Sequence, residues 1–463
     1  MGSEIFTGSY PEMVVGAYVV LNLLALFLLD HWLCNASFGY RISVAKRVIV
    51  CFLFTAIASL PVLALFIRDG IYKYYLEKYS YIWMGFLMYF GALILVLTLF
   101  EIIVRLIAAA AGHGGRHDKD AEEASSDPGR KEDEQYPSMN SAEGVQYQDV
   151  AASSEAAGDT DDEYDEQKPG LAGRLISGIL IVLMIGAAVG INVYGMERAR
   201  DTVVTRYDLK VDKHVKNTDT LRVAFVSDFH LSYNSDPAMI WQMAEKINRE
   251  KPDVVLVGGD MFSSSYSAVR DHKEYIKAFK SIKAKDGVYW VYGNHDVEEP
   301  LFCGFAMAKP EDAVRTKKMK RFLKKCGFKI LDDKYTAICK GEVQLAGRAD
   351  EYKPMDRAKK RMKPEDFMSD LDNDKPIIVL EHEPDDFKAL SEIGTDITFA
   401  AHTHAGQMFP GNLVVQALHD VAYGCKDRNG MKVIVTSGVG CYGPPIRVLT
   451  DSEIVIADIH FSK

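Results

Sequence analysis

Eight polar residues in the C-terminal half of the chain have the types and spacing to hold divalent cations: Asp228 and His230, Asp260, Asn294 and His295, His382, and His402 with His404. Carboxylate, imidazole and amide oxygen are ligands for Mn, Fe, Zn or Co rather than for metals that select soft thiolates. Asp228 and His230 are two residues apart, as are His402 and His404, so at an extended strand end each pair points to one side. Asp260 follows Gly258-Gly259, where a bare backbone allows close approach to an ion. Any one of these alone reads as a turn or a hydrogen-bonded core histidine. As a set, five of the 12 His accompany two Asp and one Asn in one ordered series.

The elements that must position them are readable as well. LRVAFVSD, DVVLVGGD, GVYWVYGN, KPIIVLEH and DITFAAHTH are short apolar runs that stop on polar residues, the pattern of buried strands. Between them, Pro237 to Glu250 and Asp271 to Ile282 have helical periodicity. Strands alternating with helices predict a layered α/β domain over residues 221–463. Ligands of such sheets gather outside the carboxyl ends of the strands, which brings the eight residues to one rim.

The N-terminal half is of another kind. Residues 1–108 predict a transmembrane α-helical bundle with helices over about 13–29, 48–67 and 82–103, the second kinked at Pro61. A fourth membrane helix is expected over 173–196, and 197–220 reads as a linker. The first helix lacks a basic leader and a small-residue cleavage site, against a signal peptide. Residues 109–172 read as an acidic disordered loop: between His113 and Gly170 there are 17 Asp/Glu against 5 Lys/Arg. The remainder of the chain is near neutral, which excludes a basic nucleic-acid surface. Lys and Arg flanking the spans favour an outside N-terminus and an extracytoplasmic C-terminal domain on a multi-pass cell-membrane protein. Spans without acidic or Lys residues well inside them read as an anchor rather than a transport path. The seven Cys have no metal-knuckle or redox spacing.

The order D-x-H, G-D, G-N-H-D, H, H-x-H resembles the calcineurin-like metallophosphoesterase superfamily, and within it the membrane-anchored phosphodiesterase subgroup. The resemblance covers about Tyr194 to Phe461 and rests on VSDFHLS, VVLVGGDMF, GVYWVYGNHD, VLEHEPDDF, AAHTHAGQMFP and SGVGCYGPPIR. It implies a layered β-sandwich flanked by helices and two divalent metal ions. Asp228, His230 and His404 would hold one ion, Asn294, His382 and His402 the other, and Asp260 would bridge. His295 would face the substrate as a proton donor, oriented by Asp296. Ala401 and Ala405 stand where the family has Gly, which touches backbone geometry but no ligand. Ser263 and the stretch MFSSSY argue against purple acid phosphatases and protein Ser/Thr phosphatases.

The implied activity is metal-dependent hydrolysis of phosphate esters, phosphodiesters foremost and lipid-linked ones among them, at the membrane surface. Arg447 in GPPIR and Arg348 in LAGRAD are candidates for holding the phosphate, each with a structural ion pair as its alternative. The rival functions are a phosphomonoesterase or nucleotidase, and a non-enzymatic membrane sensor with a metal-binding module.

Overall fold

The computed structural model describes residues 11–34, 43–67, 70–123, 171–216, 218–307, 314–351 and 361–462. Helices α1 (Pro11–Cys34), α2 (Val44–Ala58), α3 (Leu60–Phe66), α4 (Ile71–Glu123) and α5 (Leu171–Arg200) form the N-terminal bundle. The stretches Glu12–Leu33, Ile71–Ala110 and Gly178–Arg200 are long and apolar enough to cross a membrane. The pair α2 and α3, bent by 42°, makes a fourth if it is one crossing. The break adjoins Pro61, whose missing N–H removes a helical hydrogen bond.

The bundle is held by aromatic packing and a few polar pins. Phe54 meets Trp83 edge-on at 5.1 Å. Trp32 Nε1 donates to Thr98 Oγ1 at 2.9 Å. Glu101, buried near the end of the third expected span, is met by His31 at 2.9 Å and Arg105 at 2.7 Å. Helix α4 runs on to Glu123, into the first part of the stretch read as an acidic loop; Ala108 to Ala111 favour the extension, which then passes through Gly112, Gly114 and Gly115. The rest of that loop, 124–170, lies outside the described residues.

The expected linker, 197–220, is largely regular structure. Helix α5 continues to Arg200, and β1 (Thr202–His214) follows after one residue. Strand β1 pairs in parallel with β14 (Ser452–Ser462), Thr202 beside Ser452 and Val211 beside Phe461. Leu209 and Val211 alternate into the core, which is what fixes this polar-looking segment to the sheet.

The remaining strands are β2 (Thr220–Val226), β3 (Val254–Val257), β4 (Gly287–Trp290), the hairpin β5 (Leu301–Phe302) and β6 (Phe305–Ala306), β7 (Lys329–Ile330), β8 (Lys334–Ile338), β9 (Val343–Gly347), β10 (Ile377–Leu380), β11 (Ile397–Ala400), β12 (Gly424–Arg428) and β13 (Met431–Val435). The helices are α6 (Pro237–Glu250), α7 (His272–Lys280), α8 (Lys317–Cys326), α9 (Pro364–Met368), α10 (Phe387–Glu392) and α11 (Gly411–Leu418). Two six-stranded sheets form, ordered β1-β14-β2-β3-β4-β7 and β12-β13-β11-β10-β9-β8.

Strand alternation sorts the side chains. Val223 and Phe225 face the other sheet, where Phe225 meets Phe399 at 5.2 Å. Ala224 and Val226 face helices α6, α7 and α8 through Ile240, Phe279 and Phe322. On the opposite outer face, Val379 and Val433 pack against Phe367, Phe387 and Leu390. The domain is thus a β-sandwich flanked by helices. Strands β2, β3 and β4 run parallel in one sheet, and β10 and β11 in the other.

The sandwich is locked to the bundle. Phe302 of the β5–β6 hairpin meets Tyr18 of α1 at 5.1 Å. Arg270 stacks on Tyr74 of α4 at 4.5 Å. Arg447 N–H donates to the Gly195 carbonyl at 2.9 Å, and a Cβ at Gly195 would lie 2.9 Å from Ile446, so only glycine permits that approach. Arg198 is ion-paired with Asp451.

Because Leu209 and Val211 each bury a side chain worth about 1.5–3 kcal/mol, a chain beginning at Leu221 should aggregate or melt well below one beginning at Asp201. Calorimetry of the two truncations checks this, and equal melting would return 202–214 to the status of a linker.

Candidate metal centre

All eight expected residues come together beyond the carboxyl ends of parallel strands. Asp228 and His230 follow β2, Asp260 follows β3, Asn294 and His295 follow β4, His382 follows β10, and His402 and His404 follow β11. The loops are stitched to one another by backbone bonds: His230 N–H donates to Asp260 O at 3.0 Å, and Ala401 N–H to His382 O at 2.8 Å. Asp228, His230, Asp260, His402 and His404 have φ between 45° and 71°. Non-glycine residues rarely adopt this left-handed conformation, and such strain gathers at functional sites.

Two groups of donor atoms form around Asp260. Asp228, His230 and His404 lie within 4.8 Å of one another, as do Asp228, Asp260 and His382. Asn294 Oδ1 stands 3.0 Å from His382 Nε2 and 3.2 Å from His402 Nδ1. Asp260 Oδ2 is 3.2 Å from His382 Nε2 and 3.5 Å from His230 Nε2, within reach of both. Its Oδ1 accepts the His295 backbone N–H at 2.7 Å. Gly293 makes this approach possible, since a Cβ there would lie 2.2 Å from Asp260 Oδ1.

These residues fit divalent cations. His230 Nε2 and His404 Nε2 face each other at 2.9 Å. Burial pushes the His230 and His402 imidazoles down to about 4 and about 3, so both are neutral lone-pair donors at neutral pH. Burial pushes the Asp228 carboxyl up to about 7, and neither of its oxygens has a hydrogen-bond partner. A buried carboxylate without donors is costly, and a cation relieves it. Asp260 is held well below the usual carboxylate range, the upward push of burial being outweighed chiefly by the His382 imidazole.

Three expected roles are corrected. Asp296 does not bond the His295 ring: its carboxylate accepts the backbone N–H groups of Gly293, Asp260 and Met261 at 2.9–3.0 Å and so organises two site loops. Arg447 is fully buried and donates to the carbonyls of Ser437, Gly438 and Gly440, with His404 Nδ1 at 3.5 Å; it braces the loop beneath a candidate ligand and does not face a substrate. Arg348 is buried between Glu381 and Asp386, each at 2.9 Å, and is structural.

Two residues were not foreseen. Ser264 Oγ lies 2.9 Å from His295 Nδ1, and the Tyr442 ring packs against the His295 ring at 4.3 Å. Both belong to loops remote in sequence from GNHD; only the run of serines after the Gly-Asp pair hinted at the first.

Comparison with known proteins gives a family match that falls within this domain. Residues 221–406 match the model of the calcineurin-like phosphoesterase family. The C-terminal domain is a calcineurin-like phosphoesterase domain. An uncharacterized metallophosphoesterase of Helicobacter pylori is 27% identical over 272 residues, 56% of this chain and 64% of that protein. A zebrafish (Danio rerio) transmembrane protein with metallophosphoesterase domain is 27% identical over 285 residues, 59% of this chain and 61% of that one. A Bos taurus protein of the same description is 25% identical over 56% of this chain and 57% of its own length. The chain thus spans less than two thirds of the length of these relatives.

Ser264→Ala should leave bound metal and melting temperature unchanged while lowering kcat about 3- to 10-fold, the worth of one orienting hydrogen bond. Asp296→Ala should instead lower stability, by about 1–3 kcal/mol for each of three donors left without an acceptor. Melting curves and turnover of the two variants check the division of roles. The reverse pattern would restore Asp296 as the partner of His295.

Proposed function

We propose that this protein hydrolyses phosphate esters, phosphodiesters foremost, at a dinuclear metal centre held on the extracytoplasmic face of the cell membrane. The observation that carries the reading is the convergence of six buried or nearly buried donor groups around the Asp260 carboxylate, with the His295 ring beside them. Asp228, His230 and His404 would hold one divalent cation and Asn294, His382 and His402 the other, with Asp260 shared between them. The chemistry such cations supply is Lewis acidity toward phosphoryl oxygens and acidification of water.

The protein's own part is positioning and proton transfer. The neutral imidazoles of His230, His402 and His404 and two buried carboxylates give the site a fixed excess of lone pairs. His295 stands outside both ligand groups. With Nδ1 engaged by Ser264, Nε2 is the nitrogen assigned to proton exchange with the leaving oxygen, work suited to an imidazole. Tyr442 walls the same side and limits water there.

A diester is favoured because the junction with the bundle keeps the site beside the bilayer, where phosphate diesters of lipid headgroups and lipid-linked intermediates are concentrated. The tight docking of α5, β1 and Gly195 supports this more strongly than a flexible tether would. Neither this preference nor the side of the membrane depends on the ligand assignment.

The full-length protein with added Mn should cleave bis-p-nitrophenyl phosphate faster than p-nitrophenyl phosphate. His295→Ala should keep its metal and lose about 100- to 10,000-fold in turnover. Asp260→Asn should lose both metal and turnover. A preference for the monoester, or for nucleotides, would make the protein a phosphomonoesterase; loss of metal in His295→Ala would make His295 a ligand.

A further inference from the structure

Helix α11 breaks the rule that a helix on a domain surface buries one apolar stripe. Its sequence, GNLVVQAL, carries no charge, and none of its residues is buried. Leu413, Val414 and Leu418 are 56%, 46% and 48% exposed. Phe409, just before the helix, is 43% exposed, and Leu449 is 68% exposed. Leu449 belongs to the same patch: Phe409 N–H donates to the Val448 carbonyl, and Met408 bridges Val448. Elsewhere among the described residues of the domain, Trp241, Val314, Tyr335, Met362 and Tyr423 are exposed at separate places in the chain.

The patch adjoins the membrane helices directly. Tyr89, within the apolar stretch Ile71–Ala110 of α4, donates its hydroxyl hydrogen to the Phe409 carbonyl at 3.0 Å. Arg447, two residues before Leu449, donates its N–H to Gly195 within the apolar stretch Gly178–Arg200 of α5. The exposed apolar surface of the domain therefore continues that of the spans, at a level where the spans themselves are apolar. At eight residues α11 is far too short to cross a bilayer, which takes about 20. A contiguous uncharged patch in this place is the mark of an interfacial anchor.

The geometry points to a monotopic membrane contact: α11, with Phe409 and Leu449, lies in the interfacial layer of the bilayer that α1, α4 and α5 cross. The consequence concerns the site. Helix α11 follows the turn that carries His404, and Gly406 touches Asn412 so closely that a Cβ on Gly406 would lie 2.3 Å from the Asn412 nitrogen. One face of the metal centre is thereby fixed at headgroup depth, and the substrate class it meets is the phosphate ester of a membrane lipid. The last step rests on the proposed hydrolysis; the insertion itself does not.

The test places p-benzoylphenylalanine at Leu413, Leu418, Phe27 or Tyr335 of the full-length protein in phosphatidylglycerol–phosphatidylethanolamine liposomes, with mass spectrometry after irradiation. Phe27, 67% exposed on the α1 span, reports lipid contact, and Tyr335, on the far edge strand β8, reports water. Lipid adducts at 413 and 418 as at 27, and none at 335, are expected. Adducts at 27 without any at 413 or 418, or protein–protein adducts there that mark a second copy on the patch, would overturn the proposal. Lipid adducts at 413 without lipid hydrolysis would keep the anchor and discard the lipid substrate.

Discussion

The Asp260 carboxylate is the group on which the site depends. One oxygen is fixed by the His295 backbone N–H, and the other lies within reach of both His382 and His230. For this to hold, the backbone of Gly293 must come within reach, and the Asp260 N–H must be gathered with those of Gly293 and Met261 onto the Asp296 carboxylate. Two carboxylates so close, both buried, are stable only amid compensating charge. His382, pushed down by burial but held above its usual range by Asp260, supplies part of it, and divalent cations would supply the rest. Strained φ values at five of the seven proposed ligands are the conformational cost of bringing five strand ends to one point.

The junction between bundle and sandwich ties this centre to the membrane. Tyr442 covers His295 and accepts the Ala306 N–H, Phe305 packs on Tyr442 at 5.4 Å, and Phe302 of the same hairpin is seated on Tyr18 of α1. A short run of contacts therefore leads from the site wall into a membrane helix. On the other side, Arg447 lies beneath His404 and its own N–H grips α5. The helices act as part of the site's frame, which a flexible linker over 197–220 could not do.

Much of this was legible in the sequence because polar residues at strand ends announce themselves: D-x-H and H-x-H are short-range patterns, and the apolar run before each fixes where the strand stops. Pro61 likewise marked the bend between α2 and α3. What was not legible depends on contacts between distant loops or on the backbone. Ser264 finds His295 across 31 residues. Asp296 has backbone N–H groups as partners, which no side-chain pattern reveals. Arg447 and Arg348 look like phosphate binders until their burial is known. Strand β1, rich in charge, reads as a linker because only alternate residues such as Leu209 and Val211 enter the core. An edge strand tolerates that composition.

The central claim is a pair of cations sharing Asp260. Anomalous scattering from crystals of the full-length protein purified without chelator tests it most directly. The account predicts two peaks, one among Asp228, His230 and His404 and one among Asn294, His382 and His402, with the Asp260 carboxylate touching both. A single peak, or none in a protein that remains fully active, would contradict it.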